Sequence, residues 1–219
     1  MPRTIAIGDV HGCRAELEEL LSKLAPQPGD RIVFLGDLIN RGPDSLGVLD
    51  IVQSLHGAVA LLGNHELRML YWRKKDGSYK FKPHDLALAQ ALRPKDWDFL
   101  DAMALTHFDI EKQIVFVHGG FLPNKPWPRQ GAEIVTRIQV VGKDGKPYKR
   151  ADCPDGTPWA DLWHQGPFVI YAHTPRPSIY ARATSLCIDT GCVYGGMLTA
   201  YVLPEGRLVQ VPARQKYFT

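Results

Sequence analysis

Ile5-Ala6-Ile7-Gly8-Asp9-Val10-His11-Gly12 runs a short apolar, β-branched segment straight into glycine-flanked polar residues. The arrangement recurs as Ile32-Val33-Phe34-Leu35-Gly36-Asp37 and as Val59-Ala60-Leu61-Leu62-Gly63-Asn64-His65-Glu66. Apolar runs of this length, bounded by turn residues, read as buried strands. Between them, Leu17, Leu20, Leu21 and Leu24 fall at helical spacing over Arg14 to Leu24, and a second helix is predicted over Ser45 to Leu55. A third is predicted to start near Asn64. Strand, polar loop and helix thus follow one another three times, which predicts parallel strands with crossover helices. The polar loops then sit at the carboxyl ends of the strands, where α/β sheets hold their sites.

Two more apolar runs end in histidine: Ile114 to Val117 leads into His118-Gly119-Gly120, and Phe168 to Tyr171 into Ala172-His173-Thr174. Residues 67–109 are predicted to be largely helical and then irregular, with a second helical stretch around Asp85 to Leu92, and to form a cap. Gly142-Lys143-Asp144-Gly145-Lys146 and Pro204-Glu205-Gly206-Arg207 read as hairpin turns. With 219 residues the chain is expected to be a single domain, 1–219.

The formal net charge of +3 is too small for a specific nucleic-acid binder, and no apolar run is long enough to cross a membrane. Asp9 and His11 interrupt the first apolar run too early for a secretory leader. Cys13, Cys153, Cys187 and Cys192 form no Cys-x-x-Cys pair, which fits reduced thiols and a cytoplasmic protein.

A lone Asp or His in a loop is usually a cap or a solvated side chain. Here Asp9, His11, Asp37, Asn64, His118 and His173 all stand at or just past a predicted strand end. Such a mixed oxygen and nitrogen set suits two divalent cations about 3.5–4 Å apart, which share a carboxylate, clamp a phosphate and acidify a water. Manganese is the first expectation, with iron, zinc, nickel and cobalt also accepted by these donors.

In these motifs the chain resembles the phosphoprotein-phosphatase superfamily of binuclear metallophosphoesterases, which carry GDxHG, GDxxDRG, GNHE, HGG or HAG, and GHT. Val117-His118-Gly119-Gly120-Phe121-Leu122-Pro123 and the stretch from Ile188-Asp189-Thr190-Gly191-Cys192 to Ala200 are most similar to symmetrical bis(5'-nucleosyl)-tetraphosphatases and their diadenosine-tetraphosphatase-like relatives. The resemblance implies an α/β calcineurin-like metallophosphoesterase fold, two mixed β-sheets packed as a sandwich and flanked by helices. By motif, Asp9 and His11 would bind the first metal, Asp37 would bridge, and Asn64, His118 and His173 would bind the second. His65 would be the general acid and Arg41 a phosphate ligand. A second phosphate arginine is expected between His118 and His173; Arg137 is the candidate because it is predicted to lie on a helix, with Arg129 and Arg150 as alternatives.

The implied activity is hydrolysis of phosphoanhydrides of nucleotides or dinucleoside polyphosphates by a hydroxide bridging the two metals. A broad-specificity serine/threonine or tyrosine protein phosphatase and an endopolyphosphatase are the alternatives, so the partner is a phosphorylated small molecule, a phosphoprotein or polyphosphate. Two departures from the motifs bear on this. Ala172 replaces a glycine before His173, which should only tighten the turn. Asn40 replaces the second Asp of GDxxDRG; it can accept a hydrogen bond from the His65 ring but adds no charge to hold it protonated. A leaving phosphate needs protonation less than a serine alkoxide does, so Asn40 tilts the expectation toward anhydrides.

The basic and aromatic residues from Tyr71 to Lys82 read as a solvated helix end more readily than as a base-stacking patch. Trp159 and Trp163 read as core. Lys143, Lys146, Lys149 and Arg150 read as a solvated turn.

Overall fold

The computed structural model describes residues 2–74, 81 and 83–219. In chain order its elements are β1 (Thr4–Ile7), α1 (Arg14–Leu24), β2 (Arg31–Phe34), α2 (Ser45–Ser54), β3 (Val59–Ala60), α3 (Asn64–Arg73), α4 (Pro83–Ala91), α5 (Pro94–Ala102), β4 (Thr106–Asp109), β5 (Ile114–Val117) and α6 (Ala132–Val135). They continue with β6 (Val140–Val141), β7 (Pro147–Tyr148), β8 (Thr157–Pro158), β9 (Phe168–Tyr171), β10 (Tyr180–Arg182), β11 (Ser185–Cys187), β12 (Met197–Leu203) and β13 (Arg207–Pro212).

Two five-stranded mixed sheets form, in the orders β13-β12-β1-β2-β3 and β10-β11-β9-β5-β4, beside a small sheet β7-β6-β8. In the first, β1, β2 and β3 are parallel; in the second, β5, β9 and β11 are parallel. The carboxyl ends of each parallel set therefore lie along one edge.

Side chains alternate across a strand, so each large sheet offers two faces. Ala6, Val33 and Leu35 of the first sheet pack against Ile114, Phe116, Ile170, Ala172, Leu186 and Ile188 of the second, which is the sandwich interior. Their neighbours Ile5, Ile7, Ile32 and Phe34 point the other way, onto Leu17 and Leu20 of α1 and Val48, Leu49 and Val52 of α2. Val115, Val117, Val169 and Tyr171 face outward from the second sheet onto Phe121, Trp159 and Trp163. Both tryptophans are buried, as their reading as core requires, although Trp159 opens a single 3-10 turn.

Both hairpins form where the turn residues place them, β6 with β7 and β12 with β13. Among the described residues of 64–102 lie the helices α3, α4 and α5, whereas 106–109 is the edge strand β4, paired antiparallel with β5. Lys75, Tyr79, Lys80 and Lys82 lie outside the described residues. Trp72 stacks on Phe81 at 4.9 Å and on Trp97 at 6.4 Å. No helix among the described residues is long and apolar enough to cross a membrane.

Candidate metal centre

Every predicted donor leaves a strand at its carboxyl end: Asp9 and His11 after β1, Asp37 after β2, Asn64 after β3, His118 after β5 and His173 after β9. The loops are tied to one another by backbone. His11 and Gly12 donate their amides to Asp37 O (2.7 Å) and Leu38 O (2.8 Å), and Ala172 N donates to His118 O (2.8 Å). Ala172 itself is fully buried within the sandwich, so a methyl group fits that turn. Holding side chains at these angles requires unusual backbone. Among the described residues, eight non-glycine residues have positive φ, and five of them are His11, Asp37, Asn40, Arg41 and His173. Strain of this kind persists where surrounding structure enforces it.

Asp37 is the hub. Its Oδ2 lies 3.4 Å from His11 Nε2 and 4.0 Å from His65 Nε2, and its Oδ1 lies 3.5 Å from His118 Nε2. Two clusters of donor atoms share it: His11, Asp37 and His65, and Asp37, His118 and His173, each within 4.8 Å. Asp9 joins through Oδ2, 3.8 Å from His11 Nε2, and Asn64 through Oδ1, 3.3 Å from His118 Nε2.

The outer ring nitrogens are fixed by carbonyl acceptors, which leaves the inner ones available as donor atoms. His11 Nδ1 donates to Ile39 O (3.0 Å) and His118 Nδ1 to Leu35 O (2.8 Å), so each presents Nε2. His173 is turned the other way: Nε2 donates to Arg137 O (3.1 Å), leaving Nδ1.

The electrostatics call for a cation. Burial, together with the neighbouring Asp189 carboxylate, raises the Asp9 carboxyl well above the usual range. Burial opposes charge on His118, yet Asp37 and Asp9 outweigh it and raise the ring to about 10, so a proton supplies positive charge among the carboxylates. Burial lowers His11 to about 4 and His173 to about 3, which makes both neutral and able to ligate at neutral pH. Arg41 Nη1 donates to His11 Nε2 at 2.8 Å, another cation at a ligand nitrogen. Clustered, buried carboxylates and neutral imidazoles that draw in protons and guanidinium groups suit divalent metals in number, type and placement.

Glu66, quoted above only as part of a motif, turns out to hold the two loops. Its Oε2 accepts the amides of Asp37 and Gly63 (both 3.0 Å), and its Oε1 those of Leu38 (2.8 Å) and Ile39 (3.3 Å). Gly63 is required at this junction, because a Cβ there would stand 2.1 Å from Asp37 Oδ1.

The centre opens into a cleft of about 480 Å³, within the range of small-molecule sites. Arg41, Arg68, Arg137, Lys149 and Arg150 line it, together with Asp189, Tyr194 and Phe218. The expected helical placement of Arg137 is corrected: α6 stops at Val135, Thr136 caps it, and Arg137 follows in the turn, paired with Glu133. It still reaches the cleft, as does Arg150, whereas Arg129 is not among the lining residues. Lys149 and Arg150 are likewise not merely a solvated turn, since Gln139 receives the Arg150 amide (2.9 Å) and donates to His173 O (3.3 Å). Asp189 follows β11 just as the other acids follow their strands; Gly191 N binds its Oδ1 (3.0 Å), and its Oδ2 is buried without a partner.

His65 is buried, and its amide donates to Asp37 Oδ1 at 3.0 Å. The bond expected between its ring and Asn40 is not formed: His65 Nδ1 and Asn40 Nδ2 are both buried without hydrogen-bond partners. Burial lowers the His65 ring well below its ordinary value, and His11, Arg41 and Arg68 add to that against the pull of Asp37.

The profile of the calcineurin-like phosphoesterase family matches residues 2–203. The chain is 30% identical to a bis(5'-nucleosyl)-tetraphosphatase PrpE [asymmetrical] of Oceanobacillus iheyensis, over 96% of this chain and 92% of the relative. It is 28% identical to a symmetrical bis(5'-nucleosyl)-tetraphosphatase of Nitrosomonas europaea, over 95% and 98%. A crystal structure of a candidate diadenosine tetraphosphatase superposes with a TM-score of 0.85 at 32% identity, covering 97% of this chain and 96% of the other. A family profile spanning nearly the whole chain, full-length relatives and a donor cluster built around Asp37 lead to one conclusion: the chain belongs to the calcineurin-like phosphoesterase family and is a metal-dependent hydrolase.

Proposed function

We propose that the chain hydrolyses phosphoanhydride bonds in dinucleoside polyphosphates or related nucleotides. The observation that carries this reading is the cleft wall: five cationic side chains, Arg41, Arg68, Arg137, Lys149 and Arg150, face one centre. A phosphomonoester presents one phosphate and needs about two such groups; a chain of several phosphates can engage more of this cationic wall. The relatives named above act, by their names, on bis(5'-nucleosyl) tetraphosphates, which agrees with that chemistry. The protein-phosphatase reading gains no such support from the cleft wall, and it is the relatives' names that favour a dinucleotide over inorganic polyphosphate.

In this reading Asp9, His11 and Asp37 would hold one divalent metal and Asp37, Asn64, His118 and His173 the other, with manganese the first choice for this donor set. When bound, such a pair polarises the phosphoryl oxygens and acidifies a water for attack. Arg41 and Arg137 fix the reacting phosphate through guanidinium hydrogen bonds, with Arg150 at the rim. His65 stands at the leaving-group side. The segment 67–109 serves as a helical cap within a single domain. Four free cysteines, three of them buried, fit a reducing compartment such as the cytoplasm.

The test is turnover of the manganese-loaded protein on diadenosine tetraphosphate, a nucleoside triphosphate, long-chain polyphosphate and a phosphoserine peptide, with products resolved. Faster cleavage of the dinucleotide supports the reading, and the products distinguish a central cut (two diphosphates) from an asymmetric one (a triphosphate and a monophosphate). Faster cleavage of the peptide overturns it.

A further inference from the structure

We propose that Arg68 is a substrate-contacting residue that neutralises the leaving phosphate, and that Asp85, reaching in from the cap, is its positioning residue. The inference rests on the anhydride reading above. Arg68 lies one turn after Asn64 on α3, so both project from the same helix face toward the cleft. Asp85 on α4 is fully buried and takes Arg68 Nη1 with both oxygens, Oδ1 at 3.2 Å and Oδ2 at 3.0 Å. The pair leaves the other terminal nitrogen free to turn inward, and Nη2 stands 3.5 Å from His65 Nε2. Arg68 keeps 17% of its side chain exposed, on the cleft side.

That position has a chemical meaning. A group placed to serve the departing oxygen must lie opposite the attacking water, and His65 is the residue assigned there. In this chain Asn40 supplies no charge to His65 and makes no bond to its ring, while a guanidinium stands beside it. When the anhydride is cleaved, a P–O bond forms to the water oxygen and the P–O bond to the bridging oxygen breaks, its electron pair staying on the leaving phosphate. The water's proton passes to solvent. No proton has to reach the leaving oxygen, because an N–H of Arg68 can donate a hydrogen bond to the charge that develops there. An alkoxide leaving group would need the proton itself, so Arg68 suits a polyphosphate and not a phosphoserine.

A purely structural role, docking α4 onto α3, is the competing account, and substrate dependence separates the two. Arg68→Ala, Arg68→Lys and Asp85→Asn are assayed for kcat and KM on diadenosine tetraphosphate and on p-nitrophenyl phosphate, which has no phosphate on its leaving side. Arg68→Ala is expected to lose about 100-fold in kcat on the anhydride, at least tenfold more than on the aryl ester. Arg68→Lys keeps a cation for Asp85 and should fold, but one ammonium cannot serve both sites, so it too falls selectively. Asp85→Asn falls selectively by a smaller factor. Equal losses on both substrates, or an Arg68→Lys variant with undiminished anhydride turnover, would overturn the inference alone. A wild-type protein that cleaves only the aryl ester would sink the anhydride reading and this inference with it.

Discussion

Glu66 and Asp37 are joined through the backbone: the carboxylate of Glu66 accepts the amide hydrogen of Asp37 at 3.0 Å and with its other bonds holds the whole 37–39 turn against Gly63. The side chain that both metals would share is therefore aimed by a residue that touches neither. Residues of this kind commonly change metal affinity by about 10–100-fold when removed. Glu66→Ala is expected to weaken manganese binding by that factor and to lower Tm, because four buried amides lose their acceptor. Calorimetric titration of metal, paired with thermal melts, checks both.

Asn40 bears on the choice of leaving group. Asn40→Asp places a carboxylate in the loop whose family counterpart pairs with the general acid, and it should raise the share of protonated His65. Turnover of a phosphoserine peptide is expected to rise about tenfold relative to diadenosine tetraphosphate, at the low end of what general acids contribute. An unchanged ratio would show that residue 40 does not set leaving-group preference.

Acid stability is set partly far from the cleft. Asp30 accepts Arg3 Nε and the amides of Arg3 and Gln27, and these bonds, the Arg3 side chain first, hold its carboxyl down to about 2. A depressed carboxyl stabilises the fold above its unfolded value of about 3.9, and that contribution fades as pH falls toward its folded value. Asp30→Asn should cost about 1 kcal/mol at pH 7, with the difference from wild type closing between about pH 4 and pH 2. Denaturant melts across that range measure it.

The convergence of the donor side chains was legible because each follows an apolar run. Period and punctuation locate a strand end, and parallel strands bring those ends to one edge. Asp189 obeys the same rule after β11, and its place could have been inferred from Ile188-Asp189-Thr190-Gly191. What stayed hidden depends on contacts between distant segments. Nothing local pairs Arg68 with Asp85, 17 residues apart on different helices. Lys149 and Arg150 read as a turn because only the small β7-β6-β8 sheet, and Gln139 beneath it, bring them back to His173. Arg137 was misplaced by a helix that ends two residues earlier than its apolar pattern suggests, capped at Thr136 by bonds to Ala132 O and Ile134 O. The side-chain contact expected between Asn40 and His65 is absent where residue 40 adopts a positive φ of 70°, a backbone conformation that the sequence pattern does not announce, with its backbone N–H donating to Ser45 Oγ at 2.9 Å.

The central claim is that one carboxylate, Asp37, organises two metals, and metal stoichiometry tests it most directly. Protein stripped of metal and titrated with manganese is expected to bind two equivalents per chain, whereas Asp37→Asn, still folded by circular dichroism, should retain fewer than one. A wild-type protein that binds a single equivalent, or an Asp37→Asn variant that still binds two, would contradict the account.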